Sequence, residues 1–313
     1  MTNGEGVPAS IFGSDVGFGA LCGDVLTLRF PLPESGFCLP HDLDLVQFTD
    51  APSQRDLLLI ASELEKRPEI GLRVYGSTGV ANLEFLRYFP FITRLILELR
   101  ELQSIEGLSS VPLLESLFLG QTKTRALSLE PLQRLSALAD LGLEAQHKDI
   151  AEVLDGMPIR DLQLRSISLP DVKFTARLPK LSRLEIKLGG TANLADLAVL
   201  RDLRQLGLWR IRGLTDISWL GSLVGLETLF LQTLNGISSL PSLAALKQLR
   251  SVHLETMKGV RDLSGIASAP NLQELALVDM VHLSADSLAA LKELPTLRKV
   301  SGGPSTLKKY AEV

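Results

Sequence analysis

The apolar positions of this chain recur with a fixed spacing. Residues 203–275 divide into three successive units, LRQLGLWRIRGLTDISWLGSLVG, LETLFLQTLNGISSLPSLAALKQ and LRSVHLETMKGVRDLSGIASAPN, and LQEL opens the next. Each unit is 23 residues long, and the units superimpose without a gap. Leu203, Leu226, Leu249 and Leu272 open them; Leu206, Leu229, Val252 and Leu275 follow three later, and Leu208, Leu231, Leu254 and Leu277 two after that. The last two positions alternate as a short strand with one buried side requires. Beyond the strand the apolar residues return every third place, as in Ile211, Leu214, Ile217, Leu220 and Leu223. A period of three drifts around an α-helix and suits 3₁₀ or extended turns.

The same frame extends toward the amino terminus. Leu72 and Val74 form a weak first strand, and the pairs Leu95/Leu97, Leu117/Leu119, Leu141/Leu143, Leu162/Leu164 and Leu184/Ile186 continue it. Leu297 with Val300 starts a final partial strand. Residues 69–300 thus contain about ten repeats, a period in the twenties that marks a stacked array rather than two globular domains. Residues 1–23 are rich in Gly and Ser and read as a flexible tail. Residues 24–68 form no repeat. VLTLRF and LDLVQF read as strands, and SQRDLLLIASELEKRP reads as a helix with Ser53 and Asp56 at capping-box spacing. That predicts a β-β-α cap over the first coil, with residues 301–313 as a tail or cap at the other end. SADSLAALKEL, residues 284–294, predicts a helical turn capped by Ser284 or Asp286.

The LxxLxL signature resembles the leucine-rich repeat, and the 22–23-residue spacing is most similar to the bacterial internalin-like class. The resemblance implies an α/β solenoid: a right-handed superhelix with a parallel concave β-sheet and mostly 3₁₀ or extended return segments. One departure stands out. That class usually has Asn three residues after the last strand leucine, and here the position holds Arg100, Thr122, Gln146, Ile167, Gly189, Ile211, Leu234, Met257 and Met280. The turn amides must therefore pair by another route. Gly79, Gly213, Gly236 and Gly259 fall two residues later, where a left-handed residue would help.

Candidate contact residues come from the outward strand positions, which a sheet holds rigidly. Between the inner leucines the row includes Phe118, Gly207, Phe230 and His253; just after them it includes Glu98, Glu144, Arg165, Lys187, Trp209, Gln232 and Glu255. Trp209, Phe230 and His253 come from three consecutive units and predict an exposed aromatic patch on the concave face, the kind of surface an interaction hot spot needs. Phe118, Arg165, Lys187, Arg210, Gln232 and Glu255 complete the expected partner-binding set. Glu98, Glu115, Asp140 and Glu144 give the earlier repeats an acidic bias. Trp219 falls on the return side and reads as packing.

Composition narrows the function classes. A net charge of −4 and a pI near 5.7 leave no broad basic field for nucleic acid or an anionic membrane surface. No apolar run reaches membrane-spanning length, the first residues lack a basic signal region, and no Asn has Ser or Thr two places on. With two cysteines outside the repeats, Cys22 and Cys38, the reading is a cytoplasmic protein with reduced thiols, a bridge between them being the alternative. The four histidines are scattered, and no phosphate loop or nucleophile motif occurs, so neither catalysis nor a cofactor is expected. The expectation is a monomeric, non-enzymatic module for a protein partner, either a regulatory scaffold or a bacterial effector or immunity-type protein acting on a foreign one.

Overall fold

The computed structural model describes residues 24–33, 36–76, 80–124, 127–284 and 286–302. The expected tail 1–23, the segment 303–313, Cys22 and Gly79 lie outside the described residues. The chain forms two compact units, one ending at Ile159 and one beginning at Arg160.

In the first unit, β1 (Asp24–Thr27), β2 (Leu43–Phe48), β3 (Gly71–Gly76), β4 (Arg94–Leu99), β5 (Ser116–Leu119) and β6 (Asp140–Glu144) pair in chain order, every pair parallel. The inner residues stack in register: Val46 beside Leu72, Leu72 beside Leu95, Leu95 beside Leu117, Leu117 beside Leu141. Helix α1 (Gln54–Leu64) follows β2 and starts at Ser53, whose Oγ accepts the Asp56 N–H at 3.2 Å. Leu57, Ile60, Ala61 and Leu64 form its buried stripe.

Asp56 is buried, and its carboxylate ties this helix to the chain before it. It accepts the Ser53 hydroxyl at 2.7 Å and the Leu32 N–H at 3.0 Å. The Ser53 bond foremost, with the Leu32 N–H and the nearby Arg55, holds the carboxyl below its ordinary 3.8 although burial pushes it up. A carboxylate depressed in the folded state stabilises above its unfolded pKa and loses that contribution as pH falls through the folded value. Thermal melts should therefore weaken below about pH 4, and Asp56→Asn should remove part of that slope.

In the second unit, β7 (Asp161–Arg165), β8 (Arg183–Lys187), β9 (Gln205–Trp209), β10 (Thr228–Gln232), β11 (Ser251–Glu255), β12 (Glu274–Val278) and β13 (Lys299–Gly302) pair parallel in chain order. Leu206, Leu229, Val252 and Leu275 form one unbroken inner row. Across the following turns the three-residue period has a direct cause. Leu220 N–H donates to the Ile217 carbonyl, Leu223 to Leu220, and Leu226 to Leu223. Each apolar side chain thus sits on a residue that closes an i→i−3 bond, which keeps it on the inner edge. The 284–294 segment follows the same rule: Ala289–Glu293 is 3₁₀, and Ser284 Oγ accepts the Ser287 N–H at 3.2 Å.

Two devices stand where the asparagine ladder would be. The residue after each strand adopts a left-handed conformation at Ser166, Leu188, Arg210, Thr233, Thr256 and Asp279, with φ between 49° and 60°. Such a residue costs about 1 kcal/mol without glycine, yet it aims its N–H along the stack. Ser166, Leu188, Arg210, Thr233 and Thr256 donate to the carbonyls of Lys187, Trp209, Gln232, Glu255 and Val278 in the next coil. The second device is a side-chain bond just before the turn in three of the returns: Asp171, Asp216 and Asp262 each accept the amide two residues on, from Lys173, Ser218 and Ser264. The former asparagine position is thereby freed for packing, and Leu234, Met257 and Met280 are fully buried there.

The glycines divide differently from the expectation. Gly213 is left-handed at φ 79°, but Gly236 and Gly259 are not; they allow close stacking. A Cβ on Gly236 would meet the Leu214 carbonyl oxygen far inside van der Waals contact. Gly236→Ala should therefore cost about 1–3 kcal/mol in urea unfolding, as overpacking does.

Candidate partner-binding face

The outer side of the second unit's strands is built from two lateral rows. Gln163, Glu185, Gly207, Phe230, His253 and Ala276 occupy the row between the inner residues. Arg165, Lys187, Trp209, Gln232, Glu255 and Val278 occupy the row that ends each strand. Parallel registry places neighbours in a row about 4.8 Å apart, so side chains far apart in sequence form a continuous surface.

The aromatic patch is assembled, but it is not exposed as expected. Phe230 is only 6% and His253 only 9% accessible, their rings stacked at 4.7 Å with a 33° tilt. Flat rings side by side on adjacent strands cover each other, which removes the exposure that a single-strand reading implies. His253 Nε2 lies 3.3 Å from a Glu255 oxygen, and Gln232 Nε2 donates to the other Glu255 oxygen at 2.8 Å. Burial, opposed by the Glu255 bond and charge, keeps the imidazole below its usual pKa, so His253 is neutral at pH 7. Trp209, Gln232 and Glu255 are half-buried and form the accessible part of this group.

Lys187 departs furthest from the expectation of a surface cation. Its residue exposure is 4%, and Nζ sits 2.9 Å from Glu185 Oε2 and 5.8 Å from the centre of the Trp209 ring. Gln163 Nε2 donates to the same carboxylate oxygen, while Gln163 Oε1 finds no partner among the described residues. Among the described residues the Trp209 indole N–H is likewise shielded and finds no hydrogen-bond acceptor. An unanswered buried donor costs about 1–3 kcal/mol, and this one lies beneath the surface a ligand would touch. Glu185 and Gln163 are absent from the sequence-based contact set. The signal for Glu185 was its place two residues before Lys187 on one strand, which puts the two side chains on the same face.

Arg165 is half-buried beside Lys187, and Arg210 is exposed on the left-handed turn after β9. Phe118 belongs to the first unit. It is buried with Ile96 and Leu45 on the outer side of that unit's strands. Trp219, on the 3₁₀ turn Ser218–Ser222, is buried as expected, with its indole N–H on the Asp216 carbonyl at 3.3 Å. Cys38 is exposed. Among the described residues, no three His, Cys, Asp or Glu side chains converge as a metal site, and no helix is long and apolar enough to cross a membrane.

No family model matches the chain, and no curated protein does at significant similarity. Solved structures do. The chain is similar to an internalin from Listeria monocytogenes str. 4b F2365, with 17% identity and a TM-score of 0.50, over 82% of this chain and 78% of that one. It is also similar to the chain in a TLR13–ssRNA13 complex, with 16% identity and a TM-score of 0.54 over 83% of this chain. In that case the match spans 39% of the other chain. At such identities the likeness is one of fold. Parallel single-strand coils, 3₁₀ returns and the stacked inner leucine rows give this chain the leucine-rich repeat fold.

Proposed function

We propose that this chain is a non-enzymatic interaction module that holds a protein partner on the outer strand face of its second unit. Trp209, Gln232 and Glu255 make the contact, and Phe230, His253 and Lys187 support them from beneath. The observation that carries this reading is the half-buried Trp209, an aromatic ring beside Gln232, which is bonded to Glu255 on the next strand, and 5.8 Å from the Lys187 ammonium, which is held by Glu185. A rigid, partly accessible aromatic is a hot-spot arrangement: it loses little entropy on binding and removes its remaining apolar area from water. The likeness to internalin adds fold-level support only.

The test is affinity capture from the native cell with wild-type chain and with the Trp209→Ala/Gln232→Ala variant. The reading expects one or more proteins retained by the first and lost by the second at equal melting temperature. Equal retention by both would move the site off this face.

A further inference from the structure

We infer that the partner segment docking beside Trp209 is acidic: its Asp and Glu side chains meet Arg210 and Arg212 while Trp209 supplies the platform. This rests on the proposed partner-binding face and adds the chemical class of its occupant. The first observation is the uneven charge along the chain. Residues 160–212 carry eleven Lys and Arg against five Asp and Glu, whereas residues 24–159 carry twelve against twenty. The slightly acidic net charge of the whole chain conceals a local excess of six positive charges on the coils that hold β7, β8 and β9.

The second observation separates engaged cations from available ones. Lys187 is taken by Glu185, Arg204 by Glu227, and Lys173 by Asp171; Arg183 lies 3.8 Å from Asp161. Arg210 and Arg212 are exposed, and neither side chain forms an ion pair with any described residue. Both sit on the turn that leaves β9 immediately after Trp209, and the backbone there is fixed by the Arg210 and Arg212 amides bonding to the Gln232 and Gly189 carbonyls. Two free guanidiniums on a rigid turn suit carboxylates, which they bind in bidentate pairs. The third observation is the Trp209 ring itself, half-buried directly before Arg210 and so an apolar platform beside the two guanidiniums.

The same surface suits a nucleic-acid strand poorly. Single strands need successive stacking platforms along a basic groove. Here Phe230 and His253 are buried and stacked on each other, and Glu255 and Glu227 bound the cationic coils on the side of β10 and β11. A regular phosphate chain would meet those carboxylates, while an acidic peptide can place its charges discontinuously.

The experiment selects random dodecapeptides from a phage library on the full chain, then measures the affinity of the winners. Wild type is compared with Arg210→Glu/Arg212→Glu, with the milder Arg210→Gln/Arg212→Gln, with Trp209→Ala/Gln232→Ala, and with the exposed control Arg201→Glu; melting confirms that each variant is folded. The expected result is winners rich in Asp and Glu that lose roughly tenfold or more on either double arginine change, weaken with added salt, and keep full affinity for the control. Neutral or basic winners that need Trp209 would overturn the acidic class and leave the face intact. Acidic winners indifferent to Arg210 and Arg212, or an oligouridylate probe that binds more tightly than any acidic peptide, would overturn the inference as well. Winners indifferent to every variant would remove both the inference and the face.

Discussion

Replacing Lys187 with Met should cost about 3–5 kcal/mol of unfolding free energy, because it leaves the buried Glu185 carboxylate without its counter-charge. The pair lies almost wholly out of water, at 4% and 9% exposure, with the ammonium 2.9 Å from the carboxylate. An exposed pair of the same residues would contribute about 1 kcal/mol or less. The companion change makes the cause testable. Glu185→Gln with Lys187→Met removes both charges and still offers Gln163 an amide oxygen to donate to. That double variant should recover to within about 1 kcal/mol of wild type in urea unfolding, since a neutral packed pair commonly equals a buried ionic one. If the single and double variants lose the same stability, Lys187 is held by packing of its stem and not by charge.

The second large effect concerns binding. Trp209→Ala should weaken the captured partner by about 2 kcal/mol or more, near thirtyfold, with little change in melting, because the indole is half-buried and its N–H forms no bond within the described residues. Phe230→Ala should behave in the opposite way. Its ring is 6% exposed and stacks on His253, so truncation opens a cavity and costs about 3 kcal/mol or more of stability. Any loss of binding in that variant would follow from the disturbed packing of the strand that carries Gln232. Isothermal titration paired with thermal melts separates the two residues, and a Phe230→Ala protein of unchanged stability would show that the ring does not support the face.

How far the sequence alone reaches follows from which neighbours each feature needs. The inner leucines and the three-residue return period are set within one coil, so they are readable locally. From Ile217 to Leu226 the i→i−3 bonds follow the apolar spacing residue by residue, with the Ile217 carbonyl as the first acceptor. The Ser53 cap is also local, and the helix begins where the capping box places it. Exposure on the outer face is different. Phe230 is covered by His253 and Lys187 by Glu185 and Trp209, and those contacts depend on how side chains lean between adjacent strands. The left-handed turns carry no residue signature at all: Ser166, Leu188, Arg210, Thr233, Thr256 and Asp279 share the conformation with no common chemistry. Their geometry is imposed by contacts between coils, as the inter-coil amide bonds of the first five show, so tertiary structure overrides local preference there. Gly236 and Gly259 look like turn residues by position, yet the carbonyl of the preceding coil is what forbids a side chain.

Oxidative footprinting of the complex by mass spectrometry locates the partner on the molecule residue by residue. The chain has two tryptophans, half-buried Trp209 on the outer strand face and buried Trp219 on the return side, which provide an internal comparison. A partner on the outer strand face of the second unit should protect Trp209 together with the turn Arg210–Arg212, while Trp219 and the exposed Val199 and Val224 of the return segments keep their free-state labelling. Protection of Val199 and Val224 with Trp209 unchanged would contradict that placement.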